Sequence, residues 1–175
     1  FNKANRFLKK GIALSPIKFG IAFTLKHLNQ AGALVHVYTD GSVQVNHGGT
    51  EMGQGLYTKV AQVVAEEFGI DFQNVQITAT KTDKVPNTTP TAASSGSDLN
   101  GMAAKHAAAT IKGRMTDLAC QLYQVGKGDV RFANNRVRMG ERDMSFAELA
   151  RVCFLERVPL SSTGFFATPK ITWDR

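Results

Sequence analysis

Apolar residues recur with two different periods along the chain, and the switches between them outline its elements. Across residues 33–45, Leu34, His36 and Tyr38 fall on one face and Val35, Val37 and Thr39 on the other. Asp40-Gly41 interrupts the alternation, and Val43 and Val45 resume it. An Asp-Gly pair supplies positive φ for a tight turn, so this stretch predicts a β-hairpin. From Leu56 the period becomes helical, through Val60, Val63, Val64 and Phe68, and Gly69 stands where a left-handed C-cap would. Val75, Ile77 and Ala79 alternate again as a short strand. A second helix is expected from Ser97 or Asp98, with Ala104, Ala108, Ile111, Met115, Leu118 and Leu122 as its apolar stripe. Residues 130–139 predict two short strands around a turn at Asn134-Asn135. Ser145 and Glu148 form a capping box that opens a short helix through Phe146, Leu149, Ala150 and Phe154. Residues 11–23 alternate loosely and predict an extended segment broken at Pro16, whereas residues 161–175 show no clear period. Irregular mixing of strands and helices, with an antiparallel hairpin, gives an α+β fold class.

Two stretches between these elements share one design. Gly48-Gly49-Thr50-Glu51-Met52-Gly53-Gln54-Gly55 and Thr91-Ala92-Ala93-Ser94-Ser95-Gly96-Ser97 are loops of small residues that each run into a helix N-terminus. Free N–H groups and the positive end of the helix dipole favour anions there, and small residues let a phosphate approach the main chain. Gln54 adds an amide, and Ser94, Ser95 and Ser97 add hydroxyls. The N–H groups of residues 48–55 are therefore expected to face an open groove. The second loop ends a polar stretch, residues 81–96, that is long for a mere connector and points to a functional segment. Glu51 is expected to hydrogen-bond the loop backbone rather than to act in catalysis.

Several chemistries are disfavoured. Leu56 and Tyr57 follow Gly55 where a P-loop needs Lys and Ser/Thr, and Thr58 stands where a dinucleotide fingerprint needs its third glycine. His27, His36, His47 and His106 show neither His-x-x-x-His spacing nor a cysteine partner, so each is expected to be an ordinary imidazole, and no metal site is expected from this chain. Cys120 and Cys153 are too few for an iron–sulfur cluster and read as small apolar residues in a reducing compartment. A net charge of +7, from 21 Lys+Arg against 14 Asp+Glu, favours anionic partners. The basic residues are scattered and lack an aromatic stacking platform, so no nucleic-acid partner is expected. No apolar run approaches the ~18 residues of a membrane span, and no membrane partner is expected.

These residues together resemble the molybdenum-binding subunit of the xanthine dehydrogenase family of molybdenum hydroxylases. The resemblance is carried by Lys18-Phe19-Gly20-Ile21-Ala22-Phe23-Thr24, by Leu28-Asn29-Gln30-Ala31-Gly32-Ala33 with Val37-Tyr38-Thr39-Asp40-Gly41-Ser42, and by His47 with the glycine loop after it. Val85-Pro86-Asn87 through Pro90-Thr91-Ala92-Ala93-Ser94, and Leu160-Ser161-Ser162-Thr163-Gly164-Phe165, extend it over essentially the whole chain. It implies that residues 1–175 are one segment of a molybdopterin-binding domain in a much longer subunit. It further implies a molybdenum–pyranopterin cofactor that serves hydroxylation of a purine, xanthine or hypoxanthine to urate. Electrons would leave through iron–sulfur clusters to FAD and NAD on other domains or subunits, in the cytoplasm.

Residue by residue, the resemblance makes Gly53, Gln54, Ala93, Ser94, Ser95, Gly96 and Ser97 the cofactor-binding set. Phe23 resembles a purine-stacking phenylalanine, Thr24 a residue at the purine's edge, and Ala93 a residue packed beside metal and substrate. The family's catalytic glutamate lies outside this chain, as do a substrate-binding arginine and the second stacking phenylalanine. The chain alone is therefore expected to be inactive. Aldehyde oxidases share much of the pattern and are the alternative, with a non-catalytic module for an anionic cofactor as a further one.

Overall fold

The structure, a computed structural model, describes residues 1–17, 20–78, 80–85 and 87–172. Lys18 and Phe19 of the resemblance, Ala79 of the third expected strand, Pro86, and the last three residues of the chain lie outside the described residues.

The expected hairpin is present. Strand β1, Gln30–Val37, pairs antiparallel with β2, Val43–His47, with Val35 opposite Val45. Ala31, Ala33, Val35 and Val37 turn into the core while Leu34 and His36 are only partly covered, as strand alternation requires. Helix α1, Leu56–Phe68, follows and ends at Gly69, whose φ of 63° is left-handed. The N–H of Ile70 then reaches back to the Ala65 carbonyl at 3.0 Å, closing the helix end. Strand β3, Val75–Ile77, lies parallel to β2, so β2, α1 and β3 make a βαβ unit. That crossover puts residues 48–55 at the carboxyl end of β2 and at the N-terminus of α1.

Helix α2, Gly96–Tyr123, opens two or three residues earlier than an N-cap at Ser97 or Asp98 would place it, with Ser95 as an N-cap whose side chain makes no capping bond. Its stripe of Ala104, Ala108, Ile111, Met115 and Leu118 is buried as expected, but Leu122, near its end, is exposed. Strands β4 (Val130–Ala133) and β5 (Arg136–Met139) form the second expected hairpin, and β6 (Arg142–Ser145) adds a third strand to that small sheet. Helix α3, Phe146–Leu155, begins at the expected capping box, with Ser145 Oγ accepting from the Glu148 N–H at 3.1 Å. The ring of Phe146 meets those of Phe68 and Phe132 at 5.4 and 6.4 Å, which ties the small sheet to α1.

Strand β7, Ser161–Ala167, was not legible in the sequence. It pairs antiparallel with β1 and completes the order β3-β2-β1-β7. Exposure alternates along it from Ser162 onward, but apolar and polar residue types do not, and α2 packs closely against it. A Cβ on Gly164 would meet the Ala103 carbonyl oxygen and come within 2.6 Å of the Ala107 nitrogen, so only glycine fits. Conversely, residues 11–17 form no strand: their side chains are exposed and none of their backbone groups bonds to another described residue.

The core lies between the four-stranded sheet and the α1–α2 pair. Val35, Val45, Val60, Val64, Phe68, Ile111 and Met115 are sealed from solvent there. Both cysteines are free. Cys153 is buried, and burial pushes its thiol up to about 11. No helix among the described residues is long and apolar enough to cross a membrane.

Candidate functional site

The glycine loop is held together by its own side chains. Glu51 turns back so that one carboxylate oxygen accepts the N–H groups of Gly53 and Gly55 at 2.9 and 3.0 Å, and the other accepts that of Tyr57 at 3.0 Å. Gln54 accepts the Met52 N–H at 2.6 Å and donates to the Thr50 carbonyl at 2.9 Å. The expectation of an open row of donors in residues 48–55 is thereby corrected. The anion at the positive end of α1 is Glu51 itself, and the N–H of Tyr57, with those of Gly55 and Gly53, holds its carboxyl below the ordinary range. Glu51 thus has the backbone-binding role expected of it. Gly49 is forced by packing, since a Cβ there would stand 2.5 Å from Leu56 and 2.8 Å from the Asn100 amide.

His47, at the end of β2, was expected to be an ordinary imidazole, and it is a bolt under this loop. Its Nδ1 accepts the Gly49 N–H at 3.1 Å, which leaves the proton of the neutral ring on Nε2. The residue is buried with Tyr57 edge-on at 5.2 Å, and Nε2 has no hydrogen-bond partner among the described residues. Burial drives its pKa from 6.5 down to about 4, against the opposing pull of the Glu51 charge.

The second loop supplies the open donors. Thr50 donates its N–H to the Thr91 hydroxyl at 2.8 Å, joining the two loops. Ala93 and Ser94 follow with φ of 53° and 55°, left-handed values that non-glycine residues hold only when their surroundings impose them. Ser95 is buried and spends its hydroxyl on the Ala92 carbonyl at 3.0 Å. The N–H groups of Gly96 and Ser97, in the first turn of α2, have no acceptor among the described residues. Between the loops lies a cleft of about 350 Å³ lined by Gln54, Ser94, Gly96, Ser97, Thr91 and Lys59, among others. Four of the seven expected cofactor residues thus share one cleft. Gly53 sits in the loop beside it at φ 94° with open space where a Cβ would be.

The segment carrying Phe23 and Thr24 is anchored to the same place. Ala22, at φ 106°, donates its N–H to the carbonyl of Ala93 at 3.1 Å. Phe23 is clamped by Asn29, which accepts its N–H at 2.7 Å and donates to its carbonyl at 2.9 Å and to that of Leu25 at 3.0 Å. Asn29 is 2% exposed. At Ala22 and Phe23 the segment expected to be extended is irregular, and it is fixed there by the backbone bond to Ala93 and by the Asn29 side chain. Phe23 is partly buried but outside the hydrophobic core, and Thr24 is exposed.

Sequence reasoning missed Asn29, Lys59 and the bolt made by His47 as parts of this site, and it placed Thr91 in the second loop without a role. Lys59 lies one turn into α1, where its N–H binds the Gly55 carbonyl at 3.1 Å. Among the described residues no three His, Cys, Asp or Glu side chains gather as a metal-holding group. The cleft suits a flat hydrogen-bonding group that ends in an anion: it offers unpaired N–H donors, two serine hydroxyls, an amide and a lysine. Asp98, in the same first turn of α2 but not lining the cleft, has a buried carboxylate oxygen with no donor among the described residues.

The fold is that of a molybdopterin cofactor-binding domain. The model of that family matches residues 1–175, and the chain belongs to it. Within that class it is similar to xanthine dehydrogenases. It is 51% identical over 171 residues to the xanthine dehydrogenase of Dictyostelium discoideum, covering 98% of this chain and 11% of that protein. It is also 51% identical over 174 residues to that of Oryza sativa subsp. japonica, covering 99% and 11% respectively. The chain thus spans about 11% of the length of these relatives. Among solved structures, CO dehydrogenase from Oligotropha carboxidovorans superposes with a TM-score of 0.71 at 26% identity, over 79% of this chain and 18% of that one. Quinoline 2-oxidoreductase from Pseudomonas putida 86 gives a TM-score of 0.73 at 23% identity, over 80% and 19%, and shares the fold.

Proposed function

We propose that this chain is a segment of a xanthine dehydrogenase-like molybdenum hydroxylase that holds molybdopterin and presents one side of a purine site. The observation that carries this reading is the bond from Ala22 to Ala93. It ties the Phe23 segment to a strained loop whose next residues, Ser94, Gly96 and Ser97, line the cleft. Gln54, Ser94, Gly96 and Ser97 are the groups that would hold the cofactor, with Gly53 leaving room for it. Ser95 keeps the loop in shape through its bond to Ala92. When bound, the cofactor supplies the redox metal for hydroxylating a purine carbon. Phe23 offers an apolar ring to the purine, Thr24 a hydroxyl at its edge, and Ala93 a small side chain that keeps the space between them open. Lys59 offsets negative charge at the mouth of the cleft.

The catalytic base and the second half of the substrate pocket belong to other parts of the subunit, so the 175-residue chain alone forms no urate. Iron–sulfur and FAD domains or subunits, with NAD as acceptor, complete the enzyme. Two free cysteines are consistent with a cytoplasmic home.

The test is a pair of substitutions in the full-length subunit. Gln54→Leu should lower molybdenum content, because it deletes both partners of the Met52 and Thr50 bonds and any bond to the cofactor. Phe23→Leu should keep molybdenum content and raise the KM for purine or lower turnover by up to about tenfold, the worth of an aromatic stack. Full metal occupancy and activity in Gln54→Leu would refute the cofactor assignment. Efficient turnover of aldehydes, with none of purines, would move the enzyme to the aldehyde oxidase-like reading.

A further inference from the structure

Residues 11–17 carry an apolar pattern that no described residue of this chain covers. Ile12 is 103% exposed, Leu14 91% and Ile17 85%. The flanking Phe7 is 89% exposed, and Ile21 and Leu25 are more than half exposed. A run of large aliphatic side chains this bare exceeds what a folded surface ordinarily presents. The backbone is equally unengaged, since no N–H or carbonyl of residues 11–17 bonds to another described residue. Residues on both sides are held: Asn2 and Lys10 exchange side-chain and backbone bonds at 2.7 and 2.8 Å, Ala22 bonds to Ala93, and Phe23 bonds to Asn29.

The sequence of this stretch is that of a strand. Ile12 and Leu14 fall on one face, and the small Ala13 and Ser15 on the other. Pro16, which lacks an N–H, stands at its end, where a missing ladder bond is tolerated. The relatives are about nine times longer than this chain, of which they share 98–99%, so most of the polypeptide that such a strand can pair with lies outside these residues.

We propose that residues 11–17 are a β-strand that pairs with a sheet contributed by another part of the same polypeptide, burying Ile12 and Leu14 there. A few residues further on, Ala22 is bonded to Ala93, so pairing of the strand would fix the other end of the segment attached to the second loop. This inference needs only the longer chain and stands whether or not the substrate is a purine.

Hydrogen exchange on the full-length subunit tests it. Pairing on one edge should slow alternate amides between Ile12 and Ser15 by about 100-fold or more relative to an unstructured peptide. In the same protein, Ile12→Asp with Leu14→Asp should lower the melting temperature or the soluble yield. Exchange of every amide of residues 11–17 at the unstructured rate would overturn the proposal, even if the double variant folds poorly. Protection that grows with protein concentration would assign the strand to a second copy and also overturn it.

Discussion

Thr50 donates its backbone N–H to the hydroxyl of Thr91, 41 residues further along the chain, at 2.8 Å. This is a direct bond between the two loops that border the cleft, made by a residue of each that lies outside the expected site set. Thr91→Val keeps the shape and removes the acceptor. Thr50 is exposed, so water can replace part of the bond, and stability should fall by only about 0.5–1.5 kcal/mol. In the full-length subunit, molybdenum content should fall more than the melting temperature indicates, because the spacing of the loops is lost. Metal analysis beside thermal denaturation checks this.

Glu51 and His47 should leave separate marks on stability against pH. Glu51 has a folded pKa below its ordinary 4.5, so its stabilisation is present at neutral pH and fades as pH falls below 4.5 through the lowered folded value. Glu51→Gln should make the acid limb of denaturant stability shallower. Some acid sensitivity will remain, because Glu148 is depressed in the same direction by its bonds to Ser145.

His47 acts higher. Its pKa is 6.5 in the unfolded chain and about 4 in the fold, so the unfolded chain binds the proton first. Stability is full above 6.5 and declines as pH falls toward 4, by an order of about 3 kcal/mol. His47→Asn retains an acceptor near the Gly49 N–H and does not titrate. It should be less stable at neutral pH and flat across this window, measured by urea denaturation at stepped pH.

Gly164→Ala tests the contact of β7 with α2. The new methyl would meet backbone atoms of Ala103 and Ala107 that no side-chain rotation can clear. A loss of about 1–3 kcal/mol is expected, the usual cost of overpacking, read as a lower melting temperature. Gly53→Ala, whose Cβ meets no neighbour, is strained only by its φ of 94° and should cost less stability while disturbing the cleft.

Asn29→Ala should separate positioning from folding at Phe23. It removes the bonds that hold the backbone of Phe23 and Leu25 and leaves a small buried hole. The KM for substrate in the full-length enzyme should rise as in Phe23→Leu, with molybdenum content retained. Asn29→Asp, which keeps the acceptor for the Phe23 N–H but loses the donor, should fall between.

What the chain determined locally was its periods and its punctuation. The hairpin around Asp40-Gly41, the α1 helix with its Gly69 stop, the Asn134-Asn135 turn and the Ser145–Glu148 box all come from interactions within a few residues, so they could be read along the sequence. The two small-residue loops were legible for the same reason. What only the tertiary structure decided depends on partners far away in the chain. Strand β7 exists because β1 pairs with it and Gly164 lets α2 approach, and neither condition leaves a period in residues 161–167. The donors of residues 48–55 are closed by how Glu51 and Gln54 fold back, whereas those of Gly96 and Ser97 stay open in the first turn of α2, where Ser95 makes no capping bond. The Phe23 segment is tied to the second loop through a bond spanning from Ala22 to Ala93, and residues 11–17 find no partner strand among the described residues. Short-range preferences are encoded residue by residue, but a long-range contact is a sum of shape, pairing and buried polar bonds that no single stretch of sequence displays.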